Sequence, residues 1–172
     1  MRKFMLSFVI AAVLAPSVWA QDAPKAEVFA GFSILSVEIE ESDREALYGW
    51  QASVAGNPTP VLGLVADFGG QYKTIEGEKV KIHEFLFGPR VTARGERANG
   101  FAHFLLGGAR ASGGGESENG FMLGIGGGVD IKAGENAAIR IIQFDWTPAR
   151  FQGEWTRDAV RIGIGVVFGG GS

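Results

Sequence analysis

Two histidines, His83 and His103, and no cysteine limit the chemistry open to this chain. A metal site built on both histidines needs them on one face at ligand spacing. They lie in the alternating segments "KIHEFLFGPRVT" and "GFAHFLLGGARA". Counted along the alternation, His103 shares a face with Gly107, whereas His83 falls on the opposite, bulky face. They cannot meet at one ion. A Ser-His-acid hydrolase needs a serine in reach of the imidazole. His83 is followed by Glu84, Phe85 and Leu86, with no serine nearby. "GIGGGVD" has G-x-G spacing, but a phosphate-cradling loop must follow a strand and open a helix. Here the glycines fall in mid-strand with no helix after them. They read as small residues that let side chains from opposite strands meet. No cofactor and no metal are expected, and the chain is not read as an enzyme.

What remains is a set of polar side chains on one parity: Asp67, Glu84, Arg90, His103, Gln143, Asp145 and Arg161. Charges held away from water persist when paired and hydrogen-bonded. The set is expected to form an interior network that fixes strand register, and Asp145 and Arg161, on adjacent strands, are expected to touch. A gate or ion path is the sharper reading of the same residues. An eight-stranded barrel leaves little space beyond its side chains, which favours the structural one. "EIEESDREA", with five acidic residues and one basic, is expected as the first outer loop; it could bridge divalent cations to a phosphorylated surface or serve adhesion, but short charge runs are usually just solvated. A net charge of −3 and the lack of any basic run argue against a nucleic-acid partner.

These residues need elements to carry them. Eight alternating runs are predicted as strands: Glu27–Val37, Leu47–Gly56, Val61–Tyr72, Lys81–Thr92, Gly100–Ala111, Asn119–Ile131, Ala138–Thr147 and Asp158–Gly169. Short connections force antiparallel neighbours, because parallel pairing needs long crossovers. Closing the meander removes its exposed edges. The fold class is therefore all-β, an eight-stranded antiparallel up-and-down barrel.

One face of the strands is bulky and almost uncharged, with Phe32, Trp50, Phe85, Leu123 and Ile164 among its members. The other mixes glycines with the charges. A soluble lipocalin-like barrel would show Lys and Glu outside. Here the charges share the glycine face, so the bulky face must look out, and into lipid. Transmembrane barrels have this apolar-out, polar-in pattern. Tyr48, Trp50, Tyr72, Phe121 and Trp146 then gather at the outer rim, and Phe101 and Phe168 at the periplasmic rim, as aromatic girdles do. Strict alternation turns Phe101 inward, so its girdle place requires a shift at the strand's start. Arg140 falls on the lipid parity, where it is expected to snorkel from the periplasmic edge. A bulge turning it inward is the alternative.

Residues 1–20 read as a cleaved signal peptide: Arg2 and Lys3, an apolar stretch from Phe4 to Leu14, then Val18-Trp19-Ala20. Residues 21–172 are assigned to the barrel domain.

"VFAGFS", "HEFLFGPR", "FAHFLLGGAR", "GIGGGVDI" and "IIQFDWTPARF" resemble phrases of the small outer-membrane β-barrel proteins related to the OmpA transmembrane domain, across nearly all of the mature chain. The resemblance implies a place in the Gram-negative outer membrane. It implies a structural or surface-interaction role in the envelope, with outer-membrane lipid and lipopolysaccharide as partners. A narrow porin-like channel for small solutes is the alternative. It also gives Phe168 a meaning, as the near-terminal aromatic that the barrel-assembly machinery reads in the C-terminal strand.

Overall fold

The computed structural model describes residues 23–40, 43–75 and 78–170. The signal-peptide segment, 1–20, lies outside the described residues. Ten strands follow in order: β1 Ala26–Glu40, β2 Asp43–Gly56, β3 Leu62–Ile75, β4 Glu78–Arg94, β5 Ala98–Gly113, β6 Glu116–Lys132, β7 Ala137–Trp146, β8 Ala149–Phe151, β9 Glu154–Thr156 and β10 Val160–Gly170. Each of β1 to β7 pairs antiparallel with its sequence neighbour, and β10 pairs with both β7 and β1. Eight strands therefore close into an up-and-down transmembrane barrel with no free edge. Ala26 and Gly170 are paired at one end, the terminal end. The opposite end is called the far end.

Closure fixes register, and register separates the faces. Across β10, β1 and β2 the row Ile164, Phe32, Trp50 points out, while the next row, Gly163, Ser33, Gly49, points in. Phe85, Ile164 and Phe168 are 56%, 51% and 58% exposed, whereas Glu84, Asp145 and Arg161 are 0% exposed. An apolar surface that encircles the molecule far exceeds the patches a soluble monomer shows. Hydrocarbon is the environment that suits it, because closure gives each of the eight strands a paired neighbour on both sides.

The strands outrun their predicted ends. β4 and β6 hold 17 residues each, against roughly 9–11 for a tilted bilayer crossing. The surplus projects at the far end. There β5 turns into β6 through Gly114 and Gly115, at φ 60° and 84°, a left-handed pair that glycine adopts without strain. The segment "PARFQGEWTR", read as a connection, is a hairpin. β8 keeps the register of β7 on β6, since Trp146 faces Ile125 and Ala149 faces Met122. Pro148, which has no donor, interrupts the ladder between them. Ala149–Phe151 returns against Glu154–Thr156 through Gln152 and Gly153. "EIEESDREA" is likewise mostly strand: Glu38 faces Arg44 and Glu40 faces Asp43. Of its five acidic side chains only Glu45 lies among the described ones, and it pairs with Lys73.

Two orientations differ from expectation. Arg140 does not snorkel. Gln143 faces Gly163 and Arg140 faces Gly165, so three steps on β7 match two on β10. Ile141 is the extra residue, and Ile141 and Ile142 both point out, 51% and 46% exposed. The bulge turns Arg140 inward, to 2% exposure. This avoids the roughly 2–4 kcal/mol cost of a charge facing mid-bilayer. Phe101 is 8% exposed and belongs to the lumen, as its parity requires, not to a girdle.

The lumen is also less polar than its glycines and charges suggest. Phe29, Leu35, Leu47, Val65, Leu86, Leu105 and Met122 are buried inside it.

Candidate functional site

The lumen holds two ion layers. In the first, Arg161 of β10 meets three carboxylates. Its Nη1 lies 2.6 Å from Glu84 Oε2 and 2.9 Å from Asp67 Oδ1, and its Nη2 lies 2.8 Å from Asp145 Oδ2. Asp145 faces Arg161 directly across the β7–β10 ladder. Glu84 belongs to β4, four strands away in either direction round the wall. That contact therefore spans the barrel's full width. His103 Nε2 lies 2.8 Å from Asp145 Oδ1, and the Gln51 amide donates to Asp67 Oδ2 at 2.8 Å.

In the second layer, toward the terminal end, guanidinium groups outnumber carboxylates. Arg90 and Arg94 share Glu27, and Arg90 also donates to Asn57 Oδ1 at 3.2 Å. Arg140 forks onto Asp130, with Nε 2.7 Å from Oδ1 and Nη2 3.0 Å from Oδ2. The rings of Phe29 and Phe101 each lie 4.2 Å from its guanidinium carbon, so the cation is sandwiched between aromatic faces. Glycine makes the room. A Cβ at Gly165 would come within 2.8 Å of the Phe29 ring, and one at Gly128 within 2.8 Å of the Phe101 ring. Gln143 joins the layers, accepting from Arg140 Nη1 and donating to Asp145 Oδ2, both at 2.7 Å.

Asp67, Glu84, Arg90, His103, Gln143, Asp145 and Arg161 are therefore all buried in the lumen. Arg90 alone stands apart from the Arg161 hub, in the terminal layer. Asp130, Glu27, Arg94 and Arg140 complete the arrangement, although sequence reasoning did not assign them to it. Parity alone points Asp130, Glu27 and Arg94 inward. For Arg140 the signal is its odd spacing from Gln143, which both residues can satisfy only through an extra residue between them.

Beyond the Arg161 layer the far mouth closes over apolar groups. Leu35 and Leu47 pack with Ala159, and Val37, Val80 and Ile82 lie against them. Ala159 stands just before β10, and its carbonyl accepts the Thr147 N–H at 2.9 Å, which extends the β7–β10 ladder by one rung.

On the outer wall, Tyr48, Trp50, Tyr72, Phe121, Trp146 and Phe168 all point outward. The first five stand toward the far end. Trp50 Nε1 donates to the Tyr72 hydroxyl at 3.2 Å, and that hydroxyl lies 3.4 Å from His83 Nε2. Trp146 Nε1 donates to the Arg157 carbonyl at 2.6 Å. Phe168 stands at the terminal end, facing Val28 and Ala137. His83 and His103 are on opposite sides of the wall. Among the described residues no cluster of three His, Cys, Asp or Glu side chains is arranged to hold a metal.

Compared with protein-family models and with curated proteins, the chain has no match. Solved structures do match. The chain is similar to neisserial surface protein A, at 13% identity, over 87% of this chain and 99% of that one, with a TM-score of 0.72. It is also similar to Ail, the attachment invasion locus protein of Yersinia pestis, at 14% identity over 85% and 98% of the two chains, with a TM-score of 0.59. The N-terminal β-barrel domain of Pseudomonas aeruginosa OprF aligns at 15% identity over 86% and 98%, with a TM-score of 0.60. At these identities the likeness is one of fold.

Proposed function

We propose that this chain is a β-barrel protein of the Gram-negative outer membrane, with a structural or surface-interaction role in the envelope. In this reading it is neither a channel nor an enzyme. The observation that carries it is the contact of Arg161 with Glu84, which crosses the lumen from β10 to β4 at 2.6 Å. A conducting path would have to pass that guanidinium, its three carboxylates and the apolar closure beyond them. The barrel body is then a rigid anchor, and contact with the surroundings falls to the outer rim and its protruding hairpins. The similar structures, among them a surface protein and an attachment invasion locus protein, support a surface role.

The non-enzymatic part rests on the histidines. His103 is held by Asp145 within the closed lumen, and His83 by Tyr72 on the wall. Among the described residues neither is hydrogen-bonded to a serine or threonine hydroxyl that it could activate. In this reading the far rim meets lipopolysaccharide in the outer leaflet. The barrel-assembly machinery engages β10, with Phe168 outward at its terminal end.

Planar-bilayer recording tests the structural reading against the porin-like alternative. The closed lumen predicts a flat baseline after insertion, and stable, repeated open steps would overturn it. Cell fractionation tests the location separately: the protein should sediment with outer membranes and not be released with the periplasm.

A further inference from the structure

The charged side chains of the far rim are sorted by face. Toward the mouth, Glu45 pairs with Lys73, and Glu118 accepts from Gln152. On the outward face Lys79 and Lys81 of β4, Arg110 of β5 and Arg150 of β8 are exposed. Their strands adjoin through β6, with Arg110 opposite His83 and Arg150 opposite Phe121. The outward face of this sector is thus basic. Among the described residues none of the four has a carboxylate within ion-pair distance. Arg110 donates only to the Ser117 hydroxyl at 3.0 Å, and Arg150 to the Gly153 carbonyl at 3.1 Å.

Directly beneath this basic strip runs the apolar wall. On β4 the outward column descends from Lys79 and Lys81 through His83 to Phe85 and Phe87, and on β5 from Arg110 to Leu106 and Phe104. From Val91, at the base of the β4 column, to Lys81 is about ten residues, the length that carries a tilted strand across the hydrocarbon. Lys81 and its neighbours therefore stand at headgroup height, with acyl-chain surface below.

We infer that Lys79, Lys81, Arg110 and Arg150 form a docking strip for the phosphate groups of an acylated, phosphorylated lipid of the outer leaflet. Phosphate meets the four cations while the acyl chains lie along the aromatic column, so one amphiphile satisfies both parts of the surface. Lipid A carries this combination, and it is the occupant assigned here. The inference rests on the outer-membrane reading above and names the surface through which the barrel holds its lipid. The Tyr72 hydroxyl and His83, at the boundary between the two zones, offer hydrogen bonds to the sugar of such a headgroup.

The test uses the full chain, refolded in zwitterionic micelles and titrated with bisphosphorylated lipid A or with its enzymatically dephosphorylated form. Lipid retention is read by native mass spectrometry. The native chain should bind the phosphorylated form at least about tenfold more tightly, and added salt should narrow the difference. Lys79→Gln, Lys81→Gln, Arg110→Gln and Arg150→Gln combined should abolish the preference. Lys73→Gln, on the mouth face, should leave it intact. A heat-dependent gel shift shows that each variant is folded. Equal affinity for the two lipids, or an unchanged preference in the folded quadruple variant, would overturn the strip. Failure of fractionation would instead overturn the outer-membrane reading, so the two are distinguishable.

Discussion

The two ion layers of the lumen solve the same problem in opposite ways. Around Arg161 one guanidinium serves three carboxylates. Toward the terminal end three guanidiniums, those of Arg90, Arg94 and Arg140, share two carboxylates, and aromatic rings supply the remainder. The first layer depends on its single cation. The second depends on each of its few anions and on the space its glycines leave for Phe29 and Phe101. The difference teaches which substitution each region tolerates.

The largest effect is expected at Arg161. Arg161→Met strands Asp67, Glu84 and Asp145 without a counter-ion and should cost about 3–5 kcal/mol, as loss of one partner of a buried ion cluster does. The urea midpoint of the barrel in liposomes, followed by its gel shift, is the measure. Next comes Glu27→Gln, which leaves Arg90 and Arg94 without their shared carboxylate and should cost about 2–3 kcal/mol by the same reasoning. Glu84→Gln is the paired control. Two carboxylates still hold Arg161, so the loss should stay under about 1 kcal/mol, the scale of one hydrogen bond. If Glu84→Gln proves costlier than Glu27→Gln, the contrast between an acid-rich and a base-rich layer is wrong. Gly128→Ala should cost roughly 1–3 kcal/mol through overpacking, because its Cβ would press on the Ile142 backbone carbonyl and on the Phe101 ring at 2.8 Å.

A modest effect is also expected from a change that would ordinarily be severe. Removing one residue from a strand usually flips everything beyond it to the other face. Deleting Ile141 should not, because it is the surplus residue between two regular stretches of register. Arg140 and Gln143 would both still face inward, and Ile139 and Ile142 outward. A fall of less than about 1.5 kcal/mol is expected, against a far larger one for deleting Ile164 from the regular β10. Equal losses would sink the assignment of the bulge.

The parts of the molecule differ in how plainly they can be read from residues. The closing strand is the clearest, because lipid on one side and a filled lumen on the other impose a strict two-residue period from Ile162 to Phe168. Asp145 opposite Arg161 followed from the same period and the order of neighbours. Arg140 was harder, since "IRIIQ" places apolar residues on both parities and a bulge needs only one residue more. Phe101 was pulled toward the rim by its aromatic character, although its parity already placed it inside. Apolar residues on the inner parity, such as Phe29, Leu86 and Met122, cannot be told from lipid-facing ones by type alone. Only their parity marks them. Pro148 concealed the β8–β9 hairpin, because the donor it lacks does not stop the strand's direction or its register, and its carbonyl still accepts the Leu123 N–H at 3.0 Å.

The central claim is that hydrocarbon meets the bulky face while the glycines and charges are enclosed. Because the chain has no cysteine, single nitroxide labels can be placed along β4 through Phe85→Cys, Leu86→Cys and Phe87→Cys, and on β10 through Ile164→Cys. Oxygen collision rates in bilayers report exposure to acyl chains. The account predicts high rates at 85, 87 and 164, with a sharp drop at 86. A high rate at 86 with low rates at its neighbours would mean that the barrel is turned the other way and would contradict the account.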